Sequence, residues 1–500
     1  MSRRDETDKR AFGQKCLRGL LIALCCTASV SAASQFHYLQ WGGLVQGDGP
    51  DVINAVARDP SGNFLIVGTV FASSTNFAFT GTPSALPGDA VNGKAFVAKY
   101  DASGNLLWVK GLVSSSSLQR GDSVATDSSG NIYVAGRFGG TATIASLMPA
   151  VANGTSDLFL AAFDASGNTL WTRAFSGSSV EYWSNHSIAI DALGNLVIAG
   201  QFGSPSDSSA TLDLGAGLLG GSGKEDFLAK LDSSGNAIAS RSYGVVCDDA
   251  SNFGNRVDLD ANGNVYTVDS YGASGCSGTN YARTVVYKWD GALNGLWSKT
   301  FSTTTAAVNA YSLSVDAAAG IVAIGGDYAA AIDFGAGTLP FGGSSGNVNG
   351  YLLQLNSDGT YRAATTAYGA GNSRIFSLAY DSAGRLSYGL NYTNNYIDLA
   401  YPQSQIATAN DGNAAYGQLL ANQTLAWVYT IEDVTIGCTV SSYGAIVPIS
   451  YDRLLVAGTP ECGQVNLDFG PNAEIFDSGV HASSFLMQTL SGSIFFDGFE

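Results

Sequence analysis

The phrase Asp-x-x-Gly-Asn recurs along the whole chain between short apolar runs, in two versions that alternate strictly. The first has its Asp at 59, 127, 191, 260, 316, 381 and 452. DPSGN, DSSGN, DALGN, DANGN and DSAGR are plain copies, whereas DAAAG at Asp316 and YDR at Asp452 are worn. The second centres on Asp101, Asp164, Asp232 and Asp290, then on worn copies at Asp358-Gly359, Asn422 and Ser491-Gly492. The unit repeats every 56 to 71 residues, and self-similarity at one period is the mark of a repeat architecture.

Each phrase reads as a hairpin. Asp accepts backbone N–H bonds to open the turn, and Gly supplies the positive φ of a short loop. Before the first-version Asp, apolar residues fall at every second position (Ile188 and Ile190, Val257 and Leu259, Leu313 and Val315), the period of a strand. The runs that follow, such as Phe64 to Val67 and Leu196 to Ala199, are apolar throughout, as in strands covered on both faces. Two hairpins per unit give four antiparallel strands. Seven units give an all-β fold, a seven-bladed β-propeller.

Ring closure is legible from tryptophan. Trp108, Trp171 and Trp297 lie 19, 20 and 19 residues before the next first-version Asp, and Trp41 lies 18 before Asp59. Residues 36–45 therefore read as a fourth strand without a third, suited to completing the last blade and covering its edge. Ile494-Phe495-Phe496 competes for the same slot. The expected organisation is a signal peptide at 1–33 and a propeller at 34–490. Its blades fall near 51–112, 121–177, 186–244, 255–303, 310–369, 374–432 and 446–490 plus 35–45, with a tail at 491–500.

DASGNLLWVK, DSSGNIYVAG and the loop phrase IDFGAG (332–337, echoed at 212–217 and 467–470) resemble the SBBP β-propeller repeats of secreted bacterial proteins. The resemblance covers roughly residues 35–490. It implies the propeller fold and export, and brings no catalytic motif with it.

Export is also read from the N-terminus. Six basic residues precede the apolar stretch Leu20 to Cys26, and Val30-Ser31-Ala32 follows as a small-residue cleavage site. No later stretch is long and apolar enough to suggest membrane insertion. Residues 1–32 carry net +3, so the remainder of a chain of net charge −17 stands near −20. Such acidity repels phosphate backbones and argues against nucleic acid as partner. The expected form is a monomer whose partner is an extracellular protein or glycan.

All fourteen short turns fall at one end of the propeller and the long connections at the other, so the long-connection face is the expected functional surface. The suggestive stretch there is Glu181-Tyr182-Trp183-Ser-Asn-His186, with aromatic plates beside a carboxylate and an imidazole. Catalytic and metal constellations are sparse: three histidines without metal spacing, and a Gly342-Gly-Ser344-Ser-Gly346 elbow pattern without a following helix. The seven first-version Asp would ring the channel mouth and could hold Ca²⁺. The same Asp in the outer hairpins argues that each caps its own turn, so no cofactor is expected. These readings point to a binding or scaffold module rather than an enzyme. The alternatives are a secreted hydrolase or lyase acting on polysaccharide, and a structural surface component.

Four cysteines follow the leader: Cys247, Cys276, Cys438 and Cys462. An even number in an exported chain suggests two disulfides. Each pair occupies the two long connections of a single blade, so Cys247–Cys276 and Cys438–Cys462 are the expected bonds. Cross-pairs would have to span two distant blades, beyond the ~7 Å Cα reach of a disulfide. Peptide mapping under non-reducing conditions should recover these two links, and a 247–438 or 276–462 link would overturn the assignment.

Overall fold

The short-turn geometry that the repeat implies is met at each intact copy. Asp59 N donates to Asn63 O at 2.9 Å and Gly62 N donates to Asp59 O at 3.0 Å. Asp59 Oδ1 accepts Asn63 N at 2.8 Å, while Oδ2 accepts the Asn63 amide at 2.9 Å. The same set recurs at Asp101, Asp127, Asp164, Asp191, Asp232, Asp260 and Asp290. In the outer turns of Asp164, Asp232 and Asp290 the Asn holds the carboxyl below the usual carboxylate range. Worn copies keep the turn with other residues. Arg385 replaces Asn and donates from Nε to Asp381 Oδ2 at 2.6 Å. In blade 5 the residue that opens the outer turn is Asn356, two before Asp358. Leu293 and Gln423 stand at the glycine position with φ of 67° and 69°.

The computed structural model describes residues 36–492 apart from 50, 80–83, 88–90, 116, 153–155, 178–180, 183–186, 205–208, 222, 247–255, 272–282, 304, 343–345, 369–370, 394–395, 400–404, 408–412, 434–439, 442–445, 451–452, 461–463, 467–474 and 478–483. The four cysteines, Asp452, Trp183, His186 and Ile494 to Phe496 lie outside the described residues. The strands assort into seven antiparallel blades of four. Blade 1, for example, runs Asp51–Arg58, Phe64–Val70, Lys94–Tyr100 and Leu106–Gly111 in spatial order. The first strands touch one another in succession from blade 1 round to blade 7 and back, so they line the centre of the ring. Second and third strands are sandwiched: every residue of Phe64–Val70, Asp157–Phe163 and Leu196–Phe202 is buried.

Closure is made by the N-terminal strand. Phe36–Gly47 pairs antiparallel with Ser484–Gly492, the third strand of blade 7, from Phe36 opposite Gly492 to Val45 opposite Ser484. A bulge at Gln40 lets Gln488 bridge both sides of it. The Gln488 amide donates to Gln40 Oε1 at 2.6 Å, and its Oε1 accepts Trp41 Nε1 at 3.0 Å.

The tryptophan series locks one blade to the next at three junctions. Trp41, Trp171 and Trp297 donate Nε1 to Ala102 O, Ser233 O and Ser357 O at 3.1, 2.9 and 3.1 Å, all in the outer turn of the following blade. The ring lies against that turn's glycine. A Cβ on Gly104, whose φ is +81°, would come within 2.5 Å of Trp41.

The extra length on the long-connection side is used differently from the expectation of free binding loops. Between second and third strands the chain forms a small hairpin that reaches back to the outer strand of the preceding blade. Ser74–Asn76 pairs with Gln46 and Gly47, Thr141–Ile144 with Val113–Ser115, Tyr396–Leu399 with Ala367 and Tyr368, and Gln464–Asn466 with Glu432 and Asp433. Leu212 forms a bridge to Gly177, and Phe334 packs edge-on against Phe301 at 5.3 Å. The IDFGAG phrase is the tip of this hairpin. Asp213 and Asp333 accept the N–H of Gly215 and Gly335, both at 2.7 Å, while Leu212, Leu214, Ile332 and Phe334 are buried between blades. Most of the surplus residues therefore seal junctions, because a radial sheet leaves its outer flank open unless something covers it.

Deleting residues 36–47 should leave the edge of blade 7 unpaired and produce aggregation with loss of a cooperative melt, whereas deleting 493–500 should change the melting temperature little. A damaging C-terminal deletion with a harmless N-terminal one would contradict this closure.

Candidate functional site

Six of the seven connections between second and third strands are 18 to 23 residues long (71–93, 139–156, 203–223, 329–348, 393–412 and 461–483). The seventh, 272–282 in blade 4, has eleven. Blade 4 faces the outer strand of blade 3, and among the described residues the hydrophobic cluster of that junction includes Tyr243, Val257 and Trp289. Three other junction clusters carry residues of the sealing hairpin: Ala142 and Ile144, Leu212 and Leu214, and Ile332 and Phe334. At the junction of blades 3 and 4 an open cleft of about 320 Å³ remains, on the long-connection side.

Blade 4 is also lined differently. Three residues before the outer turn, blades 1 to 3 carry Ala98, Ala161 and Ala229; blade 4 carries Tyr287. Five before it they carry Phe96, Phe159 and Phe227; blade 4 carries Val285. Strand alternation puts Arg283, Val285 and Tyr287 on one face, with Tyr271 opposite Arg283. On the other side Ser298 lies opposite Tyr287 and Thr300 opposite Val285. Ser302 continues that row, and all three hydroxyl residues are exposed.

The phenols form a directed chain. Tyr271 Oη donates to Asp226 Oδ2 at 2.8 Å, and Gln201 Nε2 donates to Asp226 Oδ1 at 2.9 Å. Tyr271 and Tyr287 hydroxyls lie 3.1 Å apart. A phenol has one proton, and that of Tyr271 is committed to Asp226, so Tyr287 is the donor between them. The Tyr287 oxygen then stands on the cleft wall as an acceptor. Behind it Tyr243 Oη donates to Asp269 Oδ2 at 3.3 Å, and the Tyr243 ring packs edge-on against Tyr287 and Trp289 at 5.1 and 4.9 Å. Gly244, at φ +63°, makes room for this chain: a Cβ there would sit 2.1 Å from Tyr271 Oη. Burial, foremost, pushes the Tyr287 phenol up to about 12. Burial and then the charges of Asp226 and Asp269 push Tyr271 and Tyr243 well above the ordinary value. All three are neutral at physiological pH.

Arg283 lies over the Tyr271 ring, 5.5 Å from its centroid, and among the described residues it has no carboxylate partner. Two carboxylates on other blades meet arginines at the inner strands. Asp122 lies between Arg120 at 2.7 Å and Arg137 at 3.1 Å, and Asp327 meets Arg374 at 2.9 Å.

The stretch expected to bind ligand lies elsewhere. Glu181–Tyr182 is a strand rather than a loop, pairing with Phe202 and Gln201 on the inner edge of blade 3; Trp183 and His186 lie outside the described residues. The first-version Asp carboxylates are engaged by their own turns, and Asp59 and Asp191 also meet Lys99 at 2.8 Å and Lys230 at 2.9 Å. Among the described residues no cluster of three or more His, Cys, Asp or Glu is arranged to hold a metal, and no helix is long and apolar enough to cross a membrane. The cleft was missed because its residues carry no motif. The short connection and the Tyr287-for-Ala exchange were its only sequence signals.

No protein-family model matches the chain. An uncharacterized WD repeat-containing protein, L264, of Acanthamoeba polyphaga mimivirus is 27% identical over 167 residues, covering 29% of this chain and 11% of that protein. The chain thus matches about a tenth of that relative's length. Among solved structures, a protein of unknown function from Bacteroides caccae aligns at TM-score 0.32 and 13% identity, covering 70% of this chain and 94% of that one. YCF48 bound to D1 peptide aligns at 0.39 and 10%, covering 92% and 98%. A polysaccharide lyase, PL25 ulvan lyase, aligns at 0.42 and 9%, covering 83% and 92%. At these scores the fold is read from the chain's own sheets.

Proposed function

We propose that this chain is an exported, SBBP-type propeller that works outside the cytoplasm as a binding or scaffold module, taking its ligand in the cleft between blades 3 and 4. The observation that carries this reading is the junction itself. Beside the shortest of the seven connections, the exposed flank is lined by hydroxyls, phenols and an Arg283 without an acidic partner among the described residues, rather than by further apolar packing. Loops and clefts held on a rigid sheet scaffold are where recognition residues concentrate. The leader-like N-terminus and the excess of acidic residues support a soluble life after export.

The alternative, a secreted hydrolase or lyase acting on polysaccharide, needs a positioned acid or base at the bond that is broken. Burial keeps the cleft phenols neutral at physiological pH, as donors and acceptors of the kind that hold a ligand.

Ser298 and Thr300 are exposed, so a bulky side chain there fills the cleft without disturbing the core. With the secreted chain on glycan and peptide arrays, Ser298→Trp and Thr300→Trp should each abolish the binding that the wild type shows, at least tenfold, with an unchanged melting temperature. Binding that survives both plugs would place the ligand elsewhere.

A further inference from the structure

The ligand class follows from what the cleft offers, taking as its premise that the cleft is the binding site. Its wall is a polar mosaic rather than an apolar trough. Ser298, Thr300 and Ser302 repeat at alternate positions along Gly295–Phe301 and its end, about 7 Å apart from strand geometry. That strand is the outermost of the four in blade 4, and the three hydroxyl residues are exposed. Beside this row, on the adjoining strand of the same sheet, the Tyr287 oxygen accepts, Arg283 donates, and the aromatic and aliphatic surfaces of Tyr271, Tyr287 and Val285 supply flat apolar contact. Alternating donors and acceptors beside ring faces suit a molecule with hydroxyls on its rim and C–H groups on its faces.

Charge narrows the class. Among the described residues Arg283 is the one cation lining the cleft, and the chain as a whole carries −17. A polyanion gains one guanidinium here and meets an acidic chain, so electrostatics do not favour it. An extended peptide draws its specificity from apolar side-chain pockets beside a sheet edge, and the cleft flanking this edge is mostly hydroxylated.

We propose that the cleft binds an uncharged polysaccharide chain. The Tyr287 oxygen accepts one sugar hydroxyl, Arg283 donates to another, and the Ser298–Thr300–Ser302 row carries the polymer outward along the edge of blade 4. The Tyr287→Tyr271→Asp226 chain is the positioning element, because it fixes which phenol presents a lone pair.

Titration calorimetry on the full secreted chain tests this with soluble oligosaccharides of neutral glucan, mannan, galactan and xylan, beside polyuronate oligosaccharides of matched length. At least one neutral probe should bind, with an affinity insensitive to salt between 50 and 500 mM. Tyr287→Phe and Thr300→Val should each weaken it about three- to tenfold, the range expected for one neutral hydrogen bond. Exposed Leu107→Ser on blade 1 should leave it unchanged. Binding of polyuronates alone, weakening with salt, overturns the assignment to uncharged chains. So does the absence of any saccharide binding at millimolar concentration. If a peptide binds instead and Ser298→Trp blocks it, the cleft stands and the saccharide falls. If a saccharide binds regardless of Ser298→Trp, the cleft reading falls with it.

Discussion

The ring depends on a buried cation that ties two turns of neighbouring blades together. Lys99, on the third strand of blade 1, places its ammonium 2.8 Å from Asp59 of its own inner turn and donates at 2.9 Å to Ala165 O in the outer turn of blade 2. Lys230 and Lys288 repeat the arrangement, reaching Gly291 O at 3.0 Å and Ser357 O at 2.8 Å. Burial alone would raise the Asp59 carboxyl, but the Lys99 ammonium and the Asn63 amide outweigh it and hold it low. Blade 2 carries Ala162 at the equivalent position, and its junction is made by Arg173 instead, which donates to Gly235 O and Ser234 O while stacking on Trp171. At the first junction the ammonium takes the carbonyl that the indole takes elsewhere, and Trp108 Nε1 is left without a partner.

Given this fastening on the short-turn side, the opposite side of each junction is free to vary. Among the described residues, six junctions use it for a back-reaching hairpin or its packing. The cleft between blades 3 and 4 has its own lining: Val285 and Tyr287 stand where blades 1 to 3 carry the Phe–Ala pair, and Tyr287 is tied through Tyr271 to the buried Asp226. Its chemistry comes from one substituted strand.

The turns, the blade number, the sandwiched strands and the closure were legible because each rests on local chemistry with a fixed period. Asp and Gly act within five residues, and Trp41 keeps the spacing of Trp108 and Trp171. What the long connections do was not legible, because the partner of Ser74–Asn76 lies on a strand about thirty residues earlier and belongs to another blade. Lys99, Lys230 and Lys288 were visible in AFVAKYD, DFLAKLD and TVVYKWD, but nothing local says that a lysine at that place is buried. Likewise nothing local in the sequence says that the backbone of Glu181 and Tyr182 pairs on the inner edge of blade 3.

The central claim is that buried cations fasten neighbouring blades turn to turn, and urea unfolding of Lys99→Met tests it most directly. Removing one partner of a buried ion pair leaves the other uncompensated, so a loss of about 3–5 kcal/mol is expected, with part of it recovered in Lys99→Met/Asp59→Asn. A loss below about 1 kcal/mol, or a double variant no better than the single one, would contradict the account.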